Sequence, residues 1–264
     1  MGLEISVQLI RTVRAKRPLV HHITNYVTVN DCANVWICCG GSPVMADAKE
    51  EMEEMASIAS ALVLNIGTLN SRTLESMEIA GRAANKAGTP VLLDPVGVGA
   101  TKLRTEAVQR ILDRVEVSVL KGNQGEIGVL SGTGGDVKGV DSGGASDPAS
   151  AVEKLSEELG CVVAATGEND YVSSNGRTLE LSNGHPLLGF VSGTGCMLSS
   201  VTGAYIGANG PSIDSVAAAI SVFNLSAEDA AERSRGPGTF KPALLDALHL
   251  FHEENISRAR IQEI

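Results

Sequence analysis

Residues 61–99 read ALVLNIGTLNSRTLESMEIAGRAANKAGTPVLLDPVGVG, two continuous apolar runs on either side of a helix-periodic segment. Neither run alternates with polar residues, so each is expected to be a strand buried on both faces. The segment between them predicts a helix to about residue 87. Strands joined in this way form a parallel sheet covered by helices on both sides.

The same rhythm extends in both directions. A helix is expected over 3–16, stopped before Pro18, then a short strand in PLVHHI. VNDCANVWICCG has helical periodicity ended by Gly40-Gly41, SPVMA is brief and extended, and KEEMEEMASIAS is an acidic helix. Downstream come a helix over 104–114, a strand in VEVSVLKGN, a helix over 123–130, a polar glycine-rich loop over 131–147, a helix over 148–159 and a strand in CVVAATG. YVSSNGRTLEL predicts a hairpin turning at Asn175-Gly176. The last third, 194–255, is almost wholly helical. With 264 residues and no fixed-period repeat, a single α/β domain spanning 1–264 is expected.

Apolar residues make up 43% of the chain but aromatics only 3%, so the core must be built from small aliphatic side chains. A net charge of −10 speaks against nucleic-acid or acidic-membrane binding. There is no run of 18 apolar residues, hence no expected membrane span. The start MGLEIS fits a myristoylation pattern, but an amphipathic first helix is the better explanation. Five cysteines, an odd number without a C-x-x-C pair, suggest reduced thiols in a cytoplasmic protein.

Ligands of an open parallel sheet lie beyond the carboxyl ends of its strands. The residues expected there are Gly67, Asp94, Lys121-Gly122-Asn123 and Thr166-Gly167, with Gly193-Thr194-Gly195 opening a helix nearby. Small residues, one acid and one base at one edge suit a nucleotide phosphate chain with a magnesium ion. Each also has an ordinary reading. Asp94 before Pro95 is a turn residue, and Glu126 complements a helix dipole. Lys121 is a solvated charge unless it meets a phosphate, and Cys196 is a small buried hydrophobe. His21 and His22, adjacent in a strand, point to opposite sides and do not suggest a zinc site. His185 before Pro186 reads as a loop histidine.

RPLVHHITNYVTVNDCAN, SPVMADA, LVLNIGTL, PVLLDPVGVGAT, KGNQGEI, NGHPLLGFVSGTGCMLSS and GPGTF occur in order between about residues 17 and 248. Together they resemble the hydroxyethylthiazole kinases of thiamine salvage. The resemblance implies a ribokinase-like three-layer α/β/α fold with a mostly parallel central sheet. It also implies ATP-dependent phosphorylation of 5-(2-hydroxyethyl)-4-methylthiazole. On it, Lys121, Asn123, Thr166, Thr194 and Gly195 contact ATP, and Met45, Gly67 and Gly193 contact the thiazole or its alcohol. Gly193–Cys196 form an anion hole, Cys196 meets the reacting hydroxyl, and Asp94 and Glu126 hold Mg2+ mostly through water. The family also implies a homotrimer in which TNY of a neighbouring chain, notably Asn25, completes the pocket. Lys121 departs from the arginine expected there, and Gln124-Gly125 from the usual small pair. Alternatives are a hydroxymethylpyrimidine or pyridoxine-like kinase, an ATP-dependent dehydratase of hydrated nicotinamide nucleotides, and a nucleotide-binding regulator.

Overall fold

A computed structural model describes residues 5–134, 137, 138, 141, 142 and 147–264. In chain order the elements are α1 (Val7–Lys16), β1 (Leu19–Ile23), α2 (Val29–Cys38), β2 (Ser42–Val44), α3 (Met52–Ile58), β3 (Ala61–Asn65), α4 (Ser71–Ala87) and β4 (Val91–Asp94). There follow α5 (Lys102–Leu112), β5 (Val119–Asn123), α6 (Gln124–Ser131), the short pair β6 (Val137–Lys138) and β7 (Asp141–Ser142), α7 (Pro148–Leu159) and β8 (Val162–Thr166). The chain ends with β9 (Asp170–Ser174), β10 (Arg177–Leu181), α8 (Thr194–Asn209), α9 (Ile213–Glu232), α10 (Pro237–His249) and β11 (Ile261–Glu263).

Nine strands form one sheet in the order β11-β10-β9-β8-β5-β4-β3-β1-β2. From β2 to β8 every pairing is parallel, and β9, β10 and β11 add antiparallel to that edge. The mostly parallel three-layer architecture expected from the sequence is the one observed. Asn175 and Gly176 turn the β9–β10 hairpin with φ of 53° and 74°, the left-handed pair that a two-residue hairpin needs.

Several boundaries differ from the sequence reading. The first helix begins at Val7, because Ser6 accepts a hydrogen bond from the Gln8 N–H and caps it. The strand in VEVSVLKGN is confined to Val119–Asn123, and the helix expected over 104–114 runs over Lys102–Leu112, capped by Thr101. The loop expected over 131–147 contains β6 and β7; its residues 135, 136, 139, 140 and 143–146, like the start MGLE, lie outside the described residues. The edge strand β11 has too few residues to show a period, and only its pairing with β10 reveals it.

Alternating residues of each strand enter two cores. Ala61 and Val63 of β3, Leu92 of β4 and Val119 of β5 face the layer formed by α1, α2, α8, α9 and α10. Leu62, Leu64, Leu93 and Leu120 face α3 to α7. Helix α8 is apolar nearly all round and lies directly on β1, β3 and β4. Gly203 permits that approach: a Cβ there would stand 2.6 Å from Val63 Cγ2 and 3.2 Å from Val20 Cγ1.

Candidate active site

Period-two parity places the polar strand ends. Asn65, Asp94 and Lys121 each follow an α8-facing residue, Val63, Leu92 and Val119, by two positions, so all three project toward α8. Asn65 and Asp94 are paired directly across β3 and β4. A slip of one residue would turn each side chain to the opposite layer. The strand order also reverses between β1 and β3, since the chain goes from β1 outward to β2 and then returns to β3 on the other side. Such a switch opens a crevice at the carboxyl ends of the strands.

A cavity of about 610 Å³ occupies that edge. Its walls include Asp94, Lys121, Asn123, Glu126, Thr166, Asp170, Asn224 and the whole segment Val191–Cys196. A hollow of equal volume lies at the opposite end of α8, among Lys16, Thr89, Asn209 and Pro211. It has no carboxylate among its lining residues, and Lys16 Nζ there donates to the Ala208 carbonyl at 2.6 Å, complementing the helix C-terminus. The first cavity is the candidate site.

Gly193 is the N-cap of α8, with φ 84° and no side chain to cap the helix. A Cβ at this position would fall 2.0 Å from Thr28 Cγ2, so both conformation and space demand glycine. The first helical bond runs from the Met197 N–H to the Gly193 carbonyl at 2.9 Å. The N–H groups of Thr194, Gly195 and Cys196 therefore have no helical acceptor, and with the helix dipole they form an anion-binding end. Lys121 Nζ, 2% exposed as a residue, donates to the Gly195 carbonyl at 2.9 Å and holds this turn in place. It is a buried cation, not the solvated charge of the ordinary sequence reading. Thr194 Oγ1 donates to the Leu188 carbonyl at 3.0 Å, tying on the turn Pro186–Phe190.

Asp94 accepts from Asn65 Nδ2 and from Ser199 Oγ, both at 2.7 Å and both on Oδ2. Burial raises its carboxyl above the ordinary carboxylate range, and Lys121 acts against that rise. Glu126 is pushed up to about 7 by burial and then by the Asp94 charge. Its Oε1 accepts from the Gly97 N–H and its Oε2 from the Asn123 N–H, both at 2.7 Å, while Asn123 Oδ1 accepts from the Glu126 N–H at 2.8 Å. The N-x-x-E spacing is thus a reciprocal capping box at the start of α6. Thr166 lines the cavity and donates to the Gly122 carbonyl at 3.3 Å.

Cys196 Sγ accepts from Asn65 Nδ2 at 3.2 Å and from Asn25 Nδ2 at 3.3 Å. Burial, reinforced by Asp94, pushes its thiol up to about 12, so it is protonated at neutral pH. Asn25 is bound within its own chain. Its amide also donates to Asn65 Oδ1 at 2.9 Å, and its Oδ1 accepts from the Thr28 N–H at 3.1 Å. It is only 4% exposed within its own chain. Gly67 packs against it: an added Cβ would meet Asn25 Cβ at 2.9 Å. Met45 follows β2, half-buried, in a segment whose Ala46 carbonyl is bonded to His21 Nε2 at 2.9 Å. Met45, Gly67 and Asn25 stand outside the wall of the 610 Å³ cavity. His22 Nδ1 lies 3.1 Å from the Val20 carbonyl, and burial lowers both histidines, His22 to about 4. Among the described residues no group of three or more His, Cys, Asp or Glu is arranged to hold a metal, and all five cysteines are free. No helix among the described residues is long and apolar enough to cross a membrane.

Asn65, Ser199, Asp170, Asn224 and Arg104 escaped the sequence reading. Asp170 accepts from the Gly167 N–H at 3.0 Å and from Asn224 Nδ2 at 2.6 Å. Arg104 fastens the loops after β3 and β4 through the carbonyls of Ile66, Gly67 and Val96. The parity that unites Asn65 with Asp94 was a usable signal. The other contacts are tertiary.

The sheet with its antiparallel edge, the uncapped α8 and the buried acid–lysine pair define a small-molecule kinase of ribokinase-like fold. A ribokinase-like superfamily protein from Enterococcus faecalis shares that fold, with a TM-score of 0.66 at 13% identity over 92% of this chain and 94% of its own. The sequence profile of the Hydroxyethylthiazole kinase family matches residues 10–254, and the chain belongs to that family. A hydroxyethylthiazole kinase of Methanocella arvoryzae is 52% identical over 250 residues, 94% of each chain. The hydroxyethylthiazole kinase structure from Pyrococcus horikoshii superposes with a TM-score of 0.90 at 43% identity, covering 98% of each chain.

Proposed function

We propose that the cavity binds ATP with its terminal phosphate at the α8 N-terminus and the thiazole alcohol beside Cys196. As a member of its family, the enzyme transfers the γ-phosphoryl group of ATP to the hydroxyl of 5-(2-hydroxyethyl)-4-methylthiazole in thiamine salvage. The observation that carries the reading is the set of N–H groups at Thr194–Cys196 that have no helical acceptor and no side-chain cap, beside a buried Lys121 and Asp94.

In the reaction the alcohol oxygen bonds to the γ-phosphorus, the bond to the bridging oxygen breaks to release ADP, and the hydroxyl proton passes to solvent. Because the transition state is loose, catalysis is mainly alignment and neutralisation of charge. The three N–H groups and the helix dipole receive negative charge on the transferring group. Lys121 adds a fixed cation from β5, bonded to the same turn. Thr166 and Asn123 flank the nucleotide, and Asn25, Met45, Gly67 and Gly193 shape the thiazole side. Cys196, protonated, orients the hydroxyl and does not act as a thiolate base.

Two buried carboxylates, Asp94 and Glu126, stand against one lysine, a donor set that suits a hard divalent cation. Asp94 Oδ2 accepts both side-chain bonds, and Oδ1 has no donor among the described residues. Both Glu126 oxygens accept backbone N–H groups, so Glu126 would act through water. Mg2+ would supply charge neutralisation for the phosphates.

Tyr26 and Val27, beside Asn25, are 79% and 59% exposed, and Phe190, between cavity-lining Gly189 and Val191, is 71% exposed. These apolar groups support a homotrimer whose neighbouring chain covers the site's rim. The free thiols suit the cytoplasm. Coupled ADP detection tests the function: Mg2+-dependent turnover with hydroxyethylthiazole should far exceed that with hydroxymethylpyrimidine. The reverse ranking would reassign the substrate. Light scattering tests the trimer, and a fully active monomer would exclude it.

A further inference from the structure

Asn65 is 2% exposed, and every hydrogen-bonding position of its amide is occupied. Oδ1 accepts from Asn25 Nδ2 at 2.9 Å and from the Gly67 N–H at 3.0 Å. Nδ2 donates to Asp94 Oδ2 at 2.7 Å and to Cys196 Sγ at 3.2 Å. A backbone N–H can only donate, so Gly67 determines which edge of the amide is oxygen, and the N–H edge must face Asp94 and Cys196. Asn25 is oriented in the same way, because the Thr28 N–H donates to its Oδ1 at 3.1 Å. Its Nδ2 reaches the same sulfur at 3.3 Å. Cys196 Sγ therefore receives two N–H donors of fixed direction, and the group it has left to present is its own S–H.

We propose that Asn65 is a positioning residue for the phosphoryl transfer: together with Asn25 it saturates Cys196 Sγ as an acceptor, so that the S–H turns to the substrate hydroxyl and orients it as a donor. The inference rests on the placement of the alcohol at Cys196. It differs from a role in packing alone, because the effect of Asn65 on catalysis passes through the sulfur. Ser199 Oγ donates to Asp94 Oδ2 independently of Asn65, so replacing Asn65 should leave Asp94 one of its two side-chain donors.

A double-mutant cycle tests this. Asn65→Leu and Asn65→Ser, each in the wild-type and in the Cys196→Ala enzyme, are assayed with hydroxyethylthiazole and Mg-ATP, with thermal unfolding measured alongside. With Cys196 present, kcat should fall about fivefold to tenfold while the ATP KM stays within about twofold. In the Cys196→Ala background the same substitution should change kcat by less than about twofold. Equal losses in the two backgrounds would overturn the proposal, as would an ATP KM that rises in step with the loss of kcat. If Asn65→Leu does not fold, the Asn65→Ser cycle decides on the same criteria. Were Cys196→Ala itself to alter neither kcat nor the thiazole KM, the placement of the alcohol would fall, and the proposal with it.

Discussion

The two ends of the cavity are both polar and both buried, yet they are wired differently. Beneath the first turn of α8, side chains bind side chains: Asn25 to Asn65, Asn65 to Asp94 and Cys196, Ser199 to Asp94. At the other end, carboxylates bind mostly the backbone: Glu126 takes the N–H groups of Gly97 and Asn123, and Asp170 takes that of Gly167 besides the Asn224 amide. A carboxylate engaged by loop N–H groups fixes the shape of the loop. A carboxylate held by side chains keeps an edge toward the cavity. The first end is built for chemistry and the second mainly for architecture, so substitutions should separate activity from stability.

The largest effect is expected at Asp94. Asp94→Asn retains the shape but removes the charge, and kcat should fall by at least about 10³-fold with the melting temperature changed by only a few degrees. Near-normal turnover would show that the side-chain network is not the chemical end. Asp170 provides the opposite case. Burial raises its carboxyl from 3.8 to about 6, so it disfavours the folded state once it ionises. Its contribution is fully favourable below about pH 3.8 and is lost as the pH rises through about 6, roughly 3 kcal/mol in all. Urea unfolding of the ligand-free protein between pH 4 and 7 should show a decline to which Glu126 and Asp94, also raised by burial, contribute, and Asp170→Asn should make it shallower. A slope unchanged in the variant would reassign it to other groups.

Glu126→Gln should destabilise by about 2 kcal/mol, since one carboxylate oxygen becomes an NH2 group facing a backbone N–H. Its loss of kcat should be smaller than that of Asp94→Asn. A larger loss at Glu126 would merge the two ends into one catalytic unit. The smallest effect is expected at Cys196. Cys196→Ala should retain kcat within about tenfold of wild type. Cys196→Asp should match or exceed wild type where the substrate still fits, because two amide N–H groups already point at that position and would receive a carboxylate. A wholly inactive Cys196→Ala that binds both substrates would make the thiol an essential acid–base group.

The sequence by itself determined the βαβ rhythm, the parallel sheet, the hairpin at Asn175-Gly176 and the family. These follow from local quantities: uninterrupted apolar runs, helical periods, a turn dipeptide and motifs in order. It also placed Asp94, Lys121 and Thr166 at strand ends, because the ends of buried strands are where polar residues begin. Tertiary structure alone decided what those residues touch. Lys121 could read as solvated until Gly195 was brought to it by α8, some seventy residues away in the chain. What Asn25 touches within its own chain was not legible, because Asn65 and Cys196, which engage it, are distant in sequence. Asn65 was concealed inside an apolar run, and only the register of β3 against β4 sets it beside Asp94. A hydrogen bond between side chains depends on which face each strand presents and how closely a helix can approach, and Gly203 sets that approach for α8 through its contact with Val63.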